Sequence, residues 1–220
     1  MQAIWMGVCC FAISILNTLL MWAVMACDNG DVADGSSLRH VLVVGGSLNQ
    51  WKDMSSSDWS DYITTLRTSV EQIGADWLTV YPYSGTSDSM TDVHLIDKIA
   101  QSCGASLVEA KLLLRGVTSV VIDVCADGQQ RFVRAVNSLS EEKITEKNLA
   151  NAILHPASCE PDLVVIFGDP TQLPPSLVWE LAYSELVYLN IQWPNCNIED
   201  IELAINDFQR RDRRFGGVDS

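Results

Sequence analysis

Charge is missing from the start of this chain: from Met1 to Cys27 there is no Asp, Glu, Lys or Arg. Positive charge is scarce throughout, with 14 Lys and Arg against 28 Asp and Glu, a formal net charge of −14. A surface of that sign repels phosphate backbones, which argues against a nucleic-acid partner. Cysteine is present (Cys9, Cys10, Cys27, Cys103, Cys125, Cys159 and Cys196), but never as CxxC and never beside histidine at zinc-ligand spacing. Thiols scattered in this way read as small buried side chains in a reducing compartment, not as a disulfide framework or a zinc site. The three histidines, His40, His94 and His155, form no Ser/His/Asp set. There is no internal repeat, and no GxGxxG or P-loop run that would cradle a nucleotide.

What the uncharged start does contain is a long apolar run. Residues 3–26 are interrupted only by Ser14, Asn17 and Thr18, and Trp5 and Trp22 stand where interfacial aromatics sit. A helix rises ~1.5 Å per residue, so about 20 residues cross a ~30 Å hydrocarbon core, and the run is expected to be a membrane anchor over 1–27. A cleaved signal peptide would begin with basic residues; Val24-Met25-Ala26-Cys27 hints at a lipoprotein signal but lacks the same basic start. Arg39 and Lys52 follow the span and no Lys or Arg precedes it, which points the C-terminal domain to the cytosol.

Residues 28–39 form a Gly/Ser/Asp-rich linker. Beyond it, 40–209 are long enough for one domain with a full core. Apolar strands are expected at His40–Val44, Trp77–Tyr81, Val117–Val124, Asp162–Phe167 and Val187–Ile191. Helices are expected at Ser57–Ile73 (capped by Asp58), Met90–Cys103, Gln129–Leu139, Thr145–Leu154, Ser176–Glu185 and Ile198–Arg210. Fully apolar strands alternating with helices imply an α/β fold with a mainly parallel central sheet covered on both faces. In such sheets function gathers at the carboxyl ends of the strands. The first of these ends is Gly45-Gly46-Ser47-Leu48-Asn49-Gln50-Trp51, which on its own reads as a turn and only weakly as an anion cradle.

The last third is more specific. Leu177 to Glu185 (Leu-Val-Trp-Glu-Leu-Ala-Tyr-Ser-Glu), then Trp193-Pro194, then Gln209 to Gly217 (Gln-Arg-Arg-Asp-Arg-Arg-Phe-Gly-Gly) closely resembles the C-terminus of the cis-prenyltransferases, the undecaprenyl and dehydrodolichyl diphosphate synthases. These enzymes condense isopentenyl diphosphate onto farnesyl diphosphate to make long polyprenyl diphosphates. In that family the first strand ends in Asp-Gly-Asn with Arg-Trp close behind, the aspartate binding magnesium and the arginine holding the allylic diphosphate. Here Gly46 falls at the aspartate, Leu48 at the asparagine and Gln50 at the arginine. After the second strand Ser84 matches the family's serine, but Ser87 and Asp88 replace Asn-Trp. The isopentenyl diphosphate loop, Arg-Thr-Gly-Gly-Glu-Gln-Arg-x-Ser, becomes Ile166 and Gln172 at its arginines and Pro174 at its serine. Gly46 offers a metal no carboxylate, and Leu48, Gln50, Ile166 and Gln172 offer a phosphate no positive charge.

Other marks of the family are retained: Glu185, and Arg214-Phe215-Gly216 as its Arg-x-Gly tail. In family dimers that tail crosses the interface and completes the other subunit's diphosphate site, so Arg214 and Gly216 in the tail 210–220 would act in trans. An anchor, a degenerate domain and this tail together resemble the membrane-anchored accessory subunit of the eukaryotic dehydrodolichyl diphosphate synthases, the Nogo-B receptor class. Gly217-Val218-Asp219-Ser220 departs from that class by continuing past the motif. The resemblance implies a heteromer with a catalytic subunit that holds most of the Mg²⁺ contacts, working at the endoplasmic reticulum membrane in dolichol synthesis for protein glycosylation. It also implies an interface built from Leu177, Trp179, Leu181, Tyr183, Leu186 and Tyr188. A divergent enzyme that works alone and a non-catalytic membrane receptor or scaffold are the alternatives.

Overall fold

The computed structural model describes residues 38–85, 93–139, 144–193 and 195–210. The chain divides at Ser36/Ser37, and all described residues belong to the second unit. The anchor expected over 1–27, most of the linker, Ser87, Asp88, Pro194, Arg214 and Gly216 lie outside the described residues. Among the described residues no helix is long and apolar enough to cross a membrane.

The elements follow in chain order: β1 (His40–Val44), α1 (Leu48–Asp53), α2 (Ser56–Glu71), β2 (Trp77–Tyr81), α3 (Val93–Cys103), β3 (Ser106–Val108), β4 (Lys111–Leu114), β5 (Ser119–Ile122), α4 (Gly128–Ser138), α5 (Glu146–Leu154), β6 (Leu163–Phe167), a 3₁₀ turn (Glu180–Ala182), β7 (Glu185–Leu189) and α6 (Ile198–Arg210). One seven-stranded sheet has the order β3-β4-β5-β2-β1-β6-β7. Strands β5, β2, β1, β6 and β7 run parallel, and a β3–β4 hairpin is added antiparallel at one edge. The α/β, mainly parallel architecture is therefore as expected.

The strands β1 and β6 are buried over their whole length, because both faces are covered. Val41 and Val43 face a core shared with α1, α2, α3 and α6, where Trp51, Trp59, Leu66 and Phe208 pack. Leu42 and Val44 face the opposite layer, with Tyr81, Val164, Ile166 and Leu177. That alternation is the period-two pleat of a strand with two apolar faces.

Four local expectations are corrected. Ser55, not Asp58, caps α2; Asp58 is the third helical residue and returns the bond to the Ser55 N–H in a capping box. The short helix α1 and the β3–β4 hairpin were not expected, and β7 starts two residues earlier than the apolar run suggests. Residues 176–185 do not form a helix. Gly128 N–H bonds to Pro175 O (2.9 Å), and the Arg131 guanidinium takes the Ser176 carbonyl and reaches Glu180 Oε1 at 3.5 Å. With its carbonyls and its glutamate drawn inward to α4, the segment is left a single 3₁₀ turn.

His40 opens the sheet as a buried neutral side chain. Its Nδ1–H donates to Cys159 O (2.8 Å), Nε2 accepts from Thr79 Oγ1 (2.8 Å), and burial pushes its pKa down to about 4. The unfolded chain, titrating near 6.5, binds more protons than the fold between those values, so His40 withdraws stability as pH falls from 7 to 4. Urea unfolding should show a loss about 3 kcal/mol greater in the native chain than in His40→Asn over that interval. Equal losses would mean the imidazole is not held neutral.

Candidate functional site

The carboxyl ends of β1, β2, β6 and β7 surround one cleft of about 220 Å³. Backbone bonds close its floor: Tyr83 N–H donates to Gly46 O (2.7 Å) and Leu48 N–H to Ser84 O (2.8 Å). The cleft thus lies where an open parallel sheet places its ligands.

An aromatic side chain occupies the space above the first turn. Trp193 is 4% exposed; its indole lies 6.0 Å from Trp51, 4.0 Å from Tyr62 and 6.3 Å from Phe167, measured between ring centres. A Cβ on Gly45 would fall 2.1 Å from Trp193 Cε3, and one on Gly46 2.5 Å from Cδ1. Gly46 also has φ +68°, a left-handed conformation that favours glycine. The two glycines therefore give up side-chain space that the indole fills. The turn is held from below as well, since Trp51 Nε1 donates to Gly45 O (2.8 Å).

The polar groups on the cleft wall are mostly committed to local structure. Ser47 caps α1, and the Gln50 amide oxygen accepts from Ser47 N–H at 2.7 Å while Gln50 N–H bonds to Ser47 Oγ. Gln50 is thus half of a capping box. Asp169 is the one carboxylate among the described residues of the wall, and its Oδ1 accepts from both Thr171 N–H (2.8 Å) and Thr171 Oγ1 (2.7 Å), bonds that hold its pKa below the usual range. Tyr83 donates its hydroxyl to Gln172 O at 3.0 Å. Among the described residues no Lys or Arg lines the cleft.

A magnesium ion takes octahedral oxygen ligands, one or two of them protein carboxylates and the rest waters and substrate phosphates. Among the described residues the wall offers it one carboxylate, Asp169, whose Oδ1 is already engaged by Thr171, and none at Gly46. No cluster of three His, Cys, Asp or Glu side chains able to hold a metal occurs among the described residues.

The structure gathers only some of the residues singled out from the sequence. Gly46, Gln50 and Gln172 share the cleft wall with Ser84. Leu48 points into the core and is 2% exposed, so close to Gly85 that a Cβ there would meet its Cδ1 at 2.1 Å. Ile166 is fully buried among Leu42, Val44 and Tyr81 on the far face of β6, and Pro174 is buried too. Neither looks into the cleft. Glu185 starts β7, paired with Leu163. That is the amino end of the parallel strands, roughly 20 Å along the strand direction from Ile191 at the cleft. Within its own chain it is not a cleft residue.

The expected interface residues divide similarly. Leu177 is 3% exposed and belongs to the chain's own core, so it has no area left for a partner. Trp179, Tyr183, Leu186 and Tyr188 are half-buried and Leu181 is exposed, beside or on the edge strand β7. Trp179 stacks 5.3 Å from Tyr183, whose hydroxyl donates to Glu146 Oε1 at 2.8 Å.

A buried ionic group was missed altogether. Lys111, Asp123, Arg131 and Glu180 are all under 9% exposed, and the Arg131 guanidinium lies 3.7 Å over the Tyr81 ring. Two signals were available in the sequence: an arginine four residues before Ala135 on the apolar face of α4, and a lone glutamate inside the apolar run Leu177 to Leu181.

Comparison with known proteins follows the same division. A family model described as "Putative undecaprenyl diphosphate synthase" matches residues 88–216. An isoprenyl transferase of Clostridium acetobutylicum is 31% identical over 134 residues, covering 54% of this chain and 52% of that protein. One of Neisseria gonorrhoeae is 34% identical over 113 residues, covering 49% and 46%. The chain spans about half the length of the curated relatives it matches. The crystal structure of lavandulyl diphosphate synthase from Lavandula x intermedia in complex with dimethylallyl diphosphate superposes with a TM-score of 0.61 at 15% identity, over 84% of this chain and 100% of that one. That likeness is one of fold.

Proposed function

The chain belongs to the undecaprenyl diphosphate synthase family of prenyltransferases, and from that premise we propose that it is the non-catalytic accessory subunit of a two-chain cis-prenyltransferase. In this reading the partner subunit carries the Mg²⁺ and the chemistry that joins isopentenyl diphosphate to farnesyl diphosphate. This chain contributes an interface around β7 and passes Arg214 and Gly216 into the partner's diphosphate site. Residues 3–26 hold the pair at the endoplasmic reticulum membrane with the domain on the cytosolic side, where its product feeds dolichol synthesis and protein glycosylation.

The observation that carries the reading is the cleft itself. Departure of an allylic diphosphate has to be matched by cations or a metal close to the leaving oxygens. Among the described residues the wall presents glycine, amide and hydroxyl groups with one carboxylate and no cation, and the Trp193 indole stands where a Cβ on Gly46 would fall. Loss of the chemistry with retention of the fold and of the Arg-x-Gly tail is what a subunit serving a neighbour's site would keep.

Arg214→Ala tests the contribution in trans. A charge-assisted bond to phosphate contributes about 1.5–3 kcal/mol, so kcat/KM for isopentenyl diphosphate in the purified two-chain complex should fall about 10- to 100-fold. The two chains should still elute together. Unchanged kinetics in a verified complex would remove the tail from the account.

A further inference from the structure

Three of the chain's few cations meet away from the cleft. Lys111, Arg131 and Arg134 line a small pocket of about 60 Å³ between the start of β4, α4 and α5. Lys111 is 8% exposed and Arg131 4% exposed, so two of the three charges are held out of bulk water. We propose that this pocket binds a small tetrahedral oxyanion of the phosphate class.

Lys111 Nζ spends one N–H on Ile153 O at 2.6 Å, leaving the ammonium with two more. Arg131 gives its terminal nitrogens to Cys125 O, Ser176 O and Glu180, while its Nε is buried with no hydrogen-bond partner. That N–H has no surface open to the pocket, so the donors the pocket offers an anion are those of Lys111 and Arg134. Arg134 is half-buried at the mouth and adds a guanidinium fork suited to phosphate. The carboxylates that offset these charges, Asp123 and Glu180, do not line the pocket. The one carboxylate that does is Glu109, whose side chain is 73% exposed and which pairs with His155 Nδ1 at 3.6 Å. Burial pushes the Lys111 pKa down, with Asp123 pulling it back, so a bound anion would restore charge that burial disfavours. The volume admits one small oxyanion or a few waters and no larger head group. On a chain of net charge −14 such a pocket is selective, because anions are repelled nearly everywhere else.

Inorganic phosphate is the probe, with chloride at equal ionic strength as the reference. At ten times its Kd, phosphate should raise the melting temperature of the full chain by about 4 °C above the chloride value. Arg134→Gln, a change at a half-buried position, should fold normally and lose that increment, and Arg134→Lys should retain part of it. Broadening of the phosphorus NMR line of phosphate by the native chain, absent with Arg134→Gln, reads binding directly. An increment no larger than that from chloride, or one of equal size in Arg134→Gln, would overturn the proposal.

Discussion

Replacing Arg131 by methionine should cost about 3–5 kcal/mol of folding stability. The guanidinium is 4% exposed and sits over the Tyr81 ring at 3.7 Å. It accounts for the carbonyls of Cys125 and Ser176 and reaches Glu180 Oε1, and Glu180 is itself 1% exposed. Methionine fills a similar volume but leaves a carboxylate buried beside two carbonyls that have lost a donor. The same contacts pin residues 174–180 to α4, so the loss reaches the face beside β7. At about 2–4 °C per kcal/mol for a domain of this size, the melting temperature should fall by about 10 °C. Arg131→Met with Glu180→Gln should recover part of that loss, since the amide carries no charge to strand. A double variant no more stable than Arg131→Met would mean that the arginine acts through packing rather than through charge.

Gly46→Asp, which writes the family's aspartate back into its place, should destabilise the fold by about 3 kcal/mol and create no magnesium site. A left-handed φ of +68° strains any residue with a Cβ, and that Cβ would meet the indole of Trp193 at 2.5 Å. Relief requires moving Trp193, whose ring packs against Trp51, Tyr62 and Phe167. Urea unfolding with and without magnesium reads both effects. A variant as stable as the native chain, and further stabilised by magnesium, would show that the cleft lacks only a ligand and has not been rebuilt.

The parallel sheet was legible because apolar runs bounded by turn residues have few other solutions, and β1, β2 and β6 sit where the sequence places them. Residues 176–185 were misread for an instructive reason. Their helical periodicity is real, but Pro175, Ser176 and Glu180 bond outward to Gly128 and Arg131, which are distant in sequence. A local pattern cannot reveal where a carbonyl's distant donor comes from. The β3–β4 hairpin escaped notice because its strands are short and β3 is an exposed edge. Gly46, Gln50 and Gln172, which the motif comparison singles out, share one wall of the cleft. That comparison could not show that Ile166 and Pro174 turn away, that Glu185 lies at the opposite end of the sheet, or that Trp193 fills the vacated space. Those are matters of side-chain direction, decided by the whole fold.

The most direct test of the central claim is incorporation of radiolabelled isopentenyl diphosphate into farnesyl diphosphate with magnesium. It is measured for this chain alone, for a catalytic cis-prenyltransferase subunit that co-purifies with it, and for the two together. The account predicts no product from this chain alone and turnover by the mixture well above that of the catalytic subunit. Polyprenyl diphosphate made by this chain alone would contradict it, because a cleft with no cation among its described residues and no carboxylate at Gly46 would then be catalytic after all.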